Sequence, residues 1–180
     1  MVADSGLVTI TGGKWTTYRK MAEDTMDQAI TIGKLAAKPC VTANLKIHGY
    51  AKPQATADYL HVYGSDAAGI KALIHKRPEL NQKLISSFPN TKAEVVWAVK
   101  HEMARTIEDV LARRMRVLFL NAKAAIDMAP AVATIMAAEL GLSDAWKQNQ
   151  VSSFIELANQ YLLTTYTPIF DKEVSTSQVA

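Results

Sequence analysis

The 180-residue sequence has few of the features that would mark a self-contained enzyme. It has a single cysteine, Cys40, so no intrachain disulfide can form, and no neighbouring His or Asp is placed to activate its thiol. Cys40 therefore reads as a small residue at the Lys38-Pro39-Cys40 junction rather than a nucleophile. No G-x-G-x-x-G occurs anywhere, so the dinucleotide fingerprint is absent. No apolar run approaches the ~18 to 20 residues of a spanning helix. The start lacks the basic-then-apolar layout of a signal peptide. On these grounds the chain is expected to be soluble and cytoplasmic. Glycine (8) and proline (6) are scarce, which excludes collagen-like and disordered classes. Charge of one sign is scarce too: the net charge is +3, with the basic residues scattered, so no nucleic-acid partner is expected.

What is present is an ordinary globular composition, 49% hydrophobic, enough for one domain or one with an appendage. Val8, Thr9, Ile10 and Thr11 alternate ahead of Gly12 and Gly13, predicting a short strand and a tight turn. A helix follows from Thr16 or Thr17, with Met21, Thr25, Ala29 and Ile30 or Ile32 as a patchy apolar face, ended by Gly33 and Pro39. Residues 40–58 are turn-rich. Short helices are then expected up to Gly64, from Ser65 to Leu80 and through Leu80–Phe88, with Thr56 and Ser65 as caps. The next helix, from Asn90, points Val95, Val96, Val99 and Met103 to a core. Thr106 with Asp109 forms a capping-box-like start, and Val117–Leu120 is ambiguous between strand and buried helix. A long helix over Ala122–Leu140 passes Pro130 and stops at Gly141. Ser143 caps a last helix whose stripe is Phe154, Ile155, Leu157, Ala158, Tyr161 and Leu162. The tail from Pro168 reads as polar and frayed.

Candidate chemistry is sparse. His101-Glu102-Met103-Ala104-Arg105 has a histidine where a metalloprotease helix begins, but Arg105 stands where the second histidine is needed. His48, His61 and His75 are isolated, so no metal is expected. Arg113, Arg114 and Arg116 could hold a phosphate, but Glu108 and Asp109 lie at helical pairing distance and favour an internal ion-pair network. Gly12-Gly13-Lys14 lacks the first glycine of a P-loop. It retains glycines for close backbone approach, a cation, and free amides at a helix start, which suit an anion or an electron-rich ring.

The stretch "GLVTITGGKWTTYRKMAEDT" together with "EVVWAVKHEMARTIEDVLARRMRVLFLNAKAAIDMAP" resembles the FAD-dependent glycerol-3-phosphate dehydrogenases, over about Gly6 to Trp146. Met115 departs from the threonine usual after the paired arginines. The resemblance implies a mainly α fold: a helical C-terminal domain over 34–168 and a flexible tail over 169–180. Ahead of these, residues 1–33 supply a short strand, turn and helix that belong to a flavin-binding domain missing from this chain. It also implies oxidation of sn-glycerol 3-phosphate to dihydroxyacetone phosphate, with hydride passing from C2 to the flavin N5. Electrons would go on to quinone, or to oxygen in the related oxidases. Gly12 and Gly13 would approach the isoalloxazine edge, the Thr16 and Thr17 amides would face N1 and the C2 carbonyl, and Lys14 would reach flavin and substrate. No catalytic residue is assigned in this chain, and the chain alone is expected to be inactive. For the parent, a homodimer and a peripheral place on the inner face of the cell membrane stay open. So does a different class, a helical module for oligomerisation or membrane-surface docking.

Overall fold

The computed structural model describes residues 1–52 and 58–163. They fall into two compact units that divide between Ala51 and Lys52. The expected limit at 33/34 concerns membership of a parent's domains, which is a separate matter from compactness. The frayed tail, the 168/169 limit and the Thr56 cap lie outside the described residues.

In Met1–Ala51 a 3-10 turn, Trp15–Thr17, runs into α1, Tyr18–Gly33, which ends on Lys34 in the left-handed region. The expected strand at Val8–Thr11 is not built. One isolated antiparallel bridge joins Val2 to Val8, and the Met1 ammonium donates to the Thr9 carbonyl at 2.9 Å. A strand needs a ladder of partners, and this unit offers it one short return of its own chain. The apolar face of α1 falls where the spacing places it: Met21, Thr25, Ala29, Ile30 and Ile32 are half-buried. No residue of this unit is fully buried. Its burial is partial throughout, so it has no core of its own.

The second unit holds the core. A 3-10 stretch, Tyr59–Asp66, is broken at Gly64 by φ 55° and leads to α2, Ala67–Lys76. Asp58 caps the 3-10 stretch by accepting from the Leu60 amide at 3.0 Å, and α2 starts on Asp66 rather than on the expected Ser65. Pro78–Asn81 is a further 3-10 turn, and the expected helix to Phe88 gives way to bends and a Lys83–Thr91 bridge. Helix α3, Lys92–His101, starts on a capping box between Thr91 and Glu94. Val95, Val96 and Val99 are buried as their spacing predicts, but Met103 is 78% exposed. The helix ends at His101 and Met103 takes φ 58°, so the period no longer carries it to the core.

The Thr106–Asp109 box is reciprocal: the Thr106 amide donates to Asp109 Oδ2 at 3.0 Å and the Asp109 amide to Thr106 Oγ1 at 3.1 Å. A π-helical turn, Asp109–Arg114, follows and closes with Met115 N donating to Val110 O at 2.8 Å. Val117–Leu120 is a single helical turn, α4, with Val117 and Leu118 buried and Phe119 and Leu120 exposed. Helix α5, Ala122–Leu140, starts on Asn121, whose side chain accepts from the Ala124 amide, and stops on left-handed Gly141. Helix α6, Asp144–Asn159, is capped by Ser143 as expected. Phe154 and Ala158 are its buried residues, with Val151 and Leu157 partly covered, while Tyr161 and Leu162 are exposed. Helices α3, α5 and α6 share the main apolar cluster around Met128, Val132 and Met136, and a second cluster joins Leu60, Ile70, Leu80, Ala93 and Val96.

Candidate functional site

The turn from Gly12 to Tyr18 owes its shape to glycine and threonine. Gly12 and Gly13 take φ 78° and 90°, the left-handed region where a Cβ is penalised. A Cβ on Gly13 would lie 2.1 Å from Met21 Sδ, whereas the same direction from Gly12 is open. Lys14 is extended at φ −107°, ψ 156°, and presents an exposed ammonium with no ion-pair partner among the described residues. Its backbone is held by Thr17. Lys14 N donates to Thr17 Oγ1 at 3.2 Å, Thr17 Oγ1 donates to Lys14 O at 2.9 Å, and Thr17 N donates to the same carbonyl at 2.9 Å. Trp15 is 84% exposed and stacks on Tyr18 with ring centroids 5.1 Å apart.

The amides of Trp15 and Thr16 open the helical run, where no preceding turn offers them an acceptor. Thr17 enters the sequence expectation through its amide, but that amide is already bound to Lys14. Its contribution lies inside the turn. Beside the turn, Arg19 donates to Glu23 at 2.6 Å and to Thr42 Oγ1 at 3.2 Å, pinning the 40–47 segment along α1. A groove of about 630 Å³ opens between them, lined by apolar side chains including Ala22, Met26, Ile30, Val41 and Ile47. Cys40 lies on this groove, exposed, with its sulfur 3.0 Å from Thr42 Oγ1.

Two of the three arginines are engaged internally, whereas Arg116 is exposed in the left-handed region at φ 60°, with no ion pair among the described residues. Arg113 meets Glu108 at 2.7 Å and Asp109 at 3.0 Å, and Arg114 donates to the Glu102 carbonyl. Burial works to raise the Asp109 carboxyl, but the Arg105 and Thr106 amides and the Thr106 hydroxyl outweigh it and hold the carboxyl below its usual range. Arg113 and Arg114 share a hollow of about 350 Å³ with Tyr63, Asp66 and Glu102. Burial pushes the Glu102 carboxyl up, and its Oε2 is buried without a hydrogen-bond partner. His101 is a packing histidine, stacked on Trp97 at 4.0 Å. Among the described residues no group of three or more His, Cys, Asp or Glu is placed to hold a metal.

Residues 7–147 match the family described as the C-terminal domain of alpha-glycerophosphate oxidase. The chain belongs to this family. It is 38% identical to the mitochondrial glycerol-3-phosphate dehydrogenase of Mesocricetus auratus, over 89% of this chain and 24% of the relative. It is 39% identical to a probable mitochondrial glycerol-3-phosphate dehydrogenase of Caenorhabditis elegans, over 87% of this chain and 25% of the relative. A probable mitochondrial homologue from Dictyostelium discoideum is 34% identical, over 84% and 26%. The chain thus spans about a quarter of the length of these relatives. No solved structure matches it. The relatives' mitochondrial names overturn the cytoplasmic expectation, which rested only on the lack of a leader and of a long apolar run. Among the described residues no helix is long and apolar enough to cross a membrane.

Met21 and the Thr17 hydroxyl escaped the sequence reading as parts of the turn. The signal for Met21 was available, since it lies four residues from Thr17 on the same helix face, whereas the bonds from Thr17 back to Lys14 follow from the 3-10 turn.

Proposed function

We propose that this chain is the C-terminal part of a longer flavoenzyme that oxidises sn-glycerol 3-phosphate to dihydroxyacetone phosphate. In this reading residues 1–33 complete its FAD-binding domain and 34–168 belong to a separate helical domain. One observation carries it: a Gly12-Gly13-Lys14 turn with open space over Gly12, opening a helix, in a chain whose relatives are named glycerol-3-phosphate dehydrogenases. The residues fit the group. Gly12 allows close approach of a ring, Trp15 and Thr16 offer amides at the positive end of a helix, and Lys14 adds an ammonium. FAD, when bound, supplies the acceptor for the hydride leaving C2 of the substrate. Gly12, Gly13, Lys14 and Thr16 would hold its ring edge, with Thr17 behind them, and the fixed amides and ammonium favour negative charge there without reorganising. Lys14 would also attract the anionic substrate. Electrons pass on to quinone. Because the matching family's description says oxidase while the relatives are named dehydrogenases, oxygen is the competing acceptor. Peroxide formation by the parent distinguishes the two.

The test compares the parent enzyme with this chain, both incubated with FAD and desalted. The parent is expected to keep flavin absorbance and to reduce a dye when glycerol 3-phosphate is added, and the chain alone to do neither. A flavin-loaded parent indifferent to glycerol 3-phosphate would remove the substrate assignment.

A second reading is favoured by exposed apolar side chains. Phe119 meets Tyr161 edge-on at 5.7 Å, and Leu120, Leu162 and Leu163 are exposed as well. A surface of this kind suits a second copy of the chain or a membrane. Sedimentation of the parent with and without phospholipid vesicles, for wild type and Leu120→Ser, separates these from a bare surface.

A further inference from the structure

We propose that Thr17 and Met21 are positioning residues for Lys14, a hydroxyl clasp and a thioether wedge that fix its backbone and so the direction in which its side chain leaves the turn. This rests on the assignment of Lys14 to the substrate made above. With no ion-pair partner for the ammonium among the described residues, what this turn sets is the Lys14 backbone, and with it the point and direction from which the side chain reaches out. Both polar groups of that backbone end on Thr17: the amide on its hydroxyl oxygen, the carbonyl on its hydroxyl proton and its amide.

The preceding residue is fixed from the other side. Met21 Sδ and Cε fill the space a Cβ on Gly13 would take, at 2.1 and 2.7 Å from that position. Met21 Sδ also lies 3.5 Å from the Thr17 hydroxyl. That hydroxyl has one proton, and the carbonyl at 2.9 Å is a better acceptor than a thioether, so the sulfur acts here as packing. Gly13, Lys14, Thr17 and Met21 thus form one closed unit where the 3-10 turn runs into α1. A hydroxyl that is both donor and acceptor is needed at residue 17. Serine keeps that chemistry; valine has the shape of threonine without it.

The experiment uses the parent flavoenzyme and measures KM and kcat for glycerol 3-phosphate beside flavin content. Thr17→Val is expected to raise KM by about tenfold to a hundredfold through misplacement of Lys14, with flavin retained. Thr17→Ser should stay near wild type. Because Thr17 acts through Lys14, Thr17→Val added to Lys14→Ala should change KM little further. A cap that merely stabilises the helix would lower the melting temperature or flavin content and leave KM alone, which would overturn the proposal. So would a Thr17→Val effect that adds in full to that of Lys14→Ala. If Lys14→Ala itself leaves KM unchanged, the substrate role of Lys14 is what fails. If Thr17→Val does not fold, Met21→Ala takes its place: it empties the wedge beside Gly13, and an unchanged KM overturns the proposal.

Discussion

Glu94 gives the sharpest stability prediction. It is 1% exposed at the start of α3. Its carboxylate accepts from the Thr91 amide at 2.6 Å, from Tyr63 Oη at 2.9 Å, from Asn90 Nδ2 at 3.3 Å, and from Tyr59 Oη. Burial, reinforced by Glu94, pushes both tyrosine hydroxyls well above their ordinary range, so they remain donors. Replacing Glu94 by alanine leaves the Thr91 amide and two tyrosine hydroxyls without their acceptor. Each orphaned buried donor costs about 1–3 kcal/mol, though half-buried Tyr59 and Tyr63 recover part of this from water. The loss should total about 3–5 kcal/mol, a large share of the roughly 5–15 kcal/mol that holds a domain together. Tyr63→Phe removes one neutral donor from a carboxylate that keeps its others, and should cost only about 1 kcal/mol. Urea titration followed by circular dichroism reads both values, and the double variant should couple strongly. A Glu94→Ala cost below about 1 kcal/mol would refute the reasoning, because it would mean these donors are satisfied without the carboxylate.

Three further outcomes are expected. Gly69→Ala should destabilise the fold by about 1–3 kcal/mol despite the higher helix propensity of alanine, because the new Cβ would lie 2.3 Å from a Trp97 ring already stacked on His101. Thermal melting checks it, and a stabilised variant would contradict the packing. Glu139 is drawn upward by burial but held below its usual range by Lys100 and Arg77 at 2.8 and 2.6 Å. Its folded value lies below the unfolded ~4.3, so this contribution is present above that pH and lost as pH falls through the folded value. Wild type should therefore lose more stability between neutral pH and about pH 3 than Glu139→Gln does, read as urea midpoints across pH. Gly13→Ala in the parent should lower flavin retention on desalting, since the alanine Cβ meets Met21 in a left-handed backbone.

Much of the helical unit could be read from single residues. The three-residue spacing of Thr106 and Asp109, Ser143 ahead of α6 and Gly141 after α5 each name a backbone group they satisfy, and each does so in the structure. The end of α3 could not be read this way. Nothing local in His101–Arg105 shows that Met103 turns left-handed, and the π turn after Asp109 depends on tertiary context. Glu94 was hidden because its partners Tyr59 and Tyr63 lie 35 and 31 residues away in sequence. In the candidate site, Gly12 and Gly13 advertised their backbone. The hydroxyl clasp of Thr17 shows only once Trp15–Thr17 is known to be a 3-10 turn, which folds residue 17 back over residue 14.

The measurement that bears most directly on the flavin-facing turn is rapid mixing of the flavin-loaded parent with glycerol 3-phosphate, wild type against Lys14→Ala. Compared per bound flavin, bleaching should reach half its maximal rate at a substrate concentration about tenfold higher or more in the variant, since a lost charge contact to an anion is worth at least about 1.4 kcal/mol. Identical concentration dependence in the two proteins would contradict a place for this turn beside flavin and substrate.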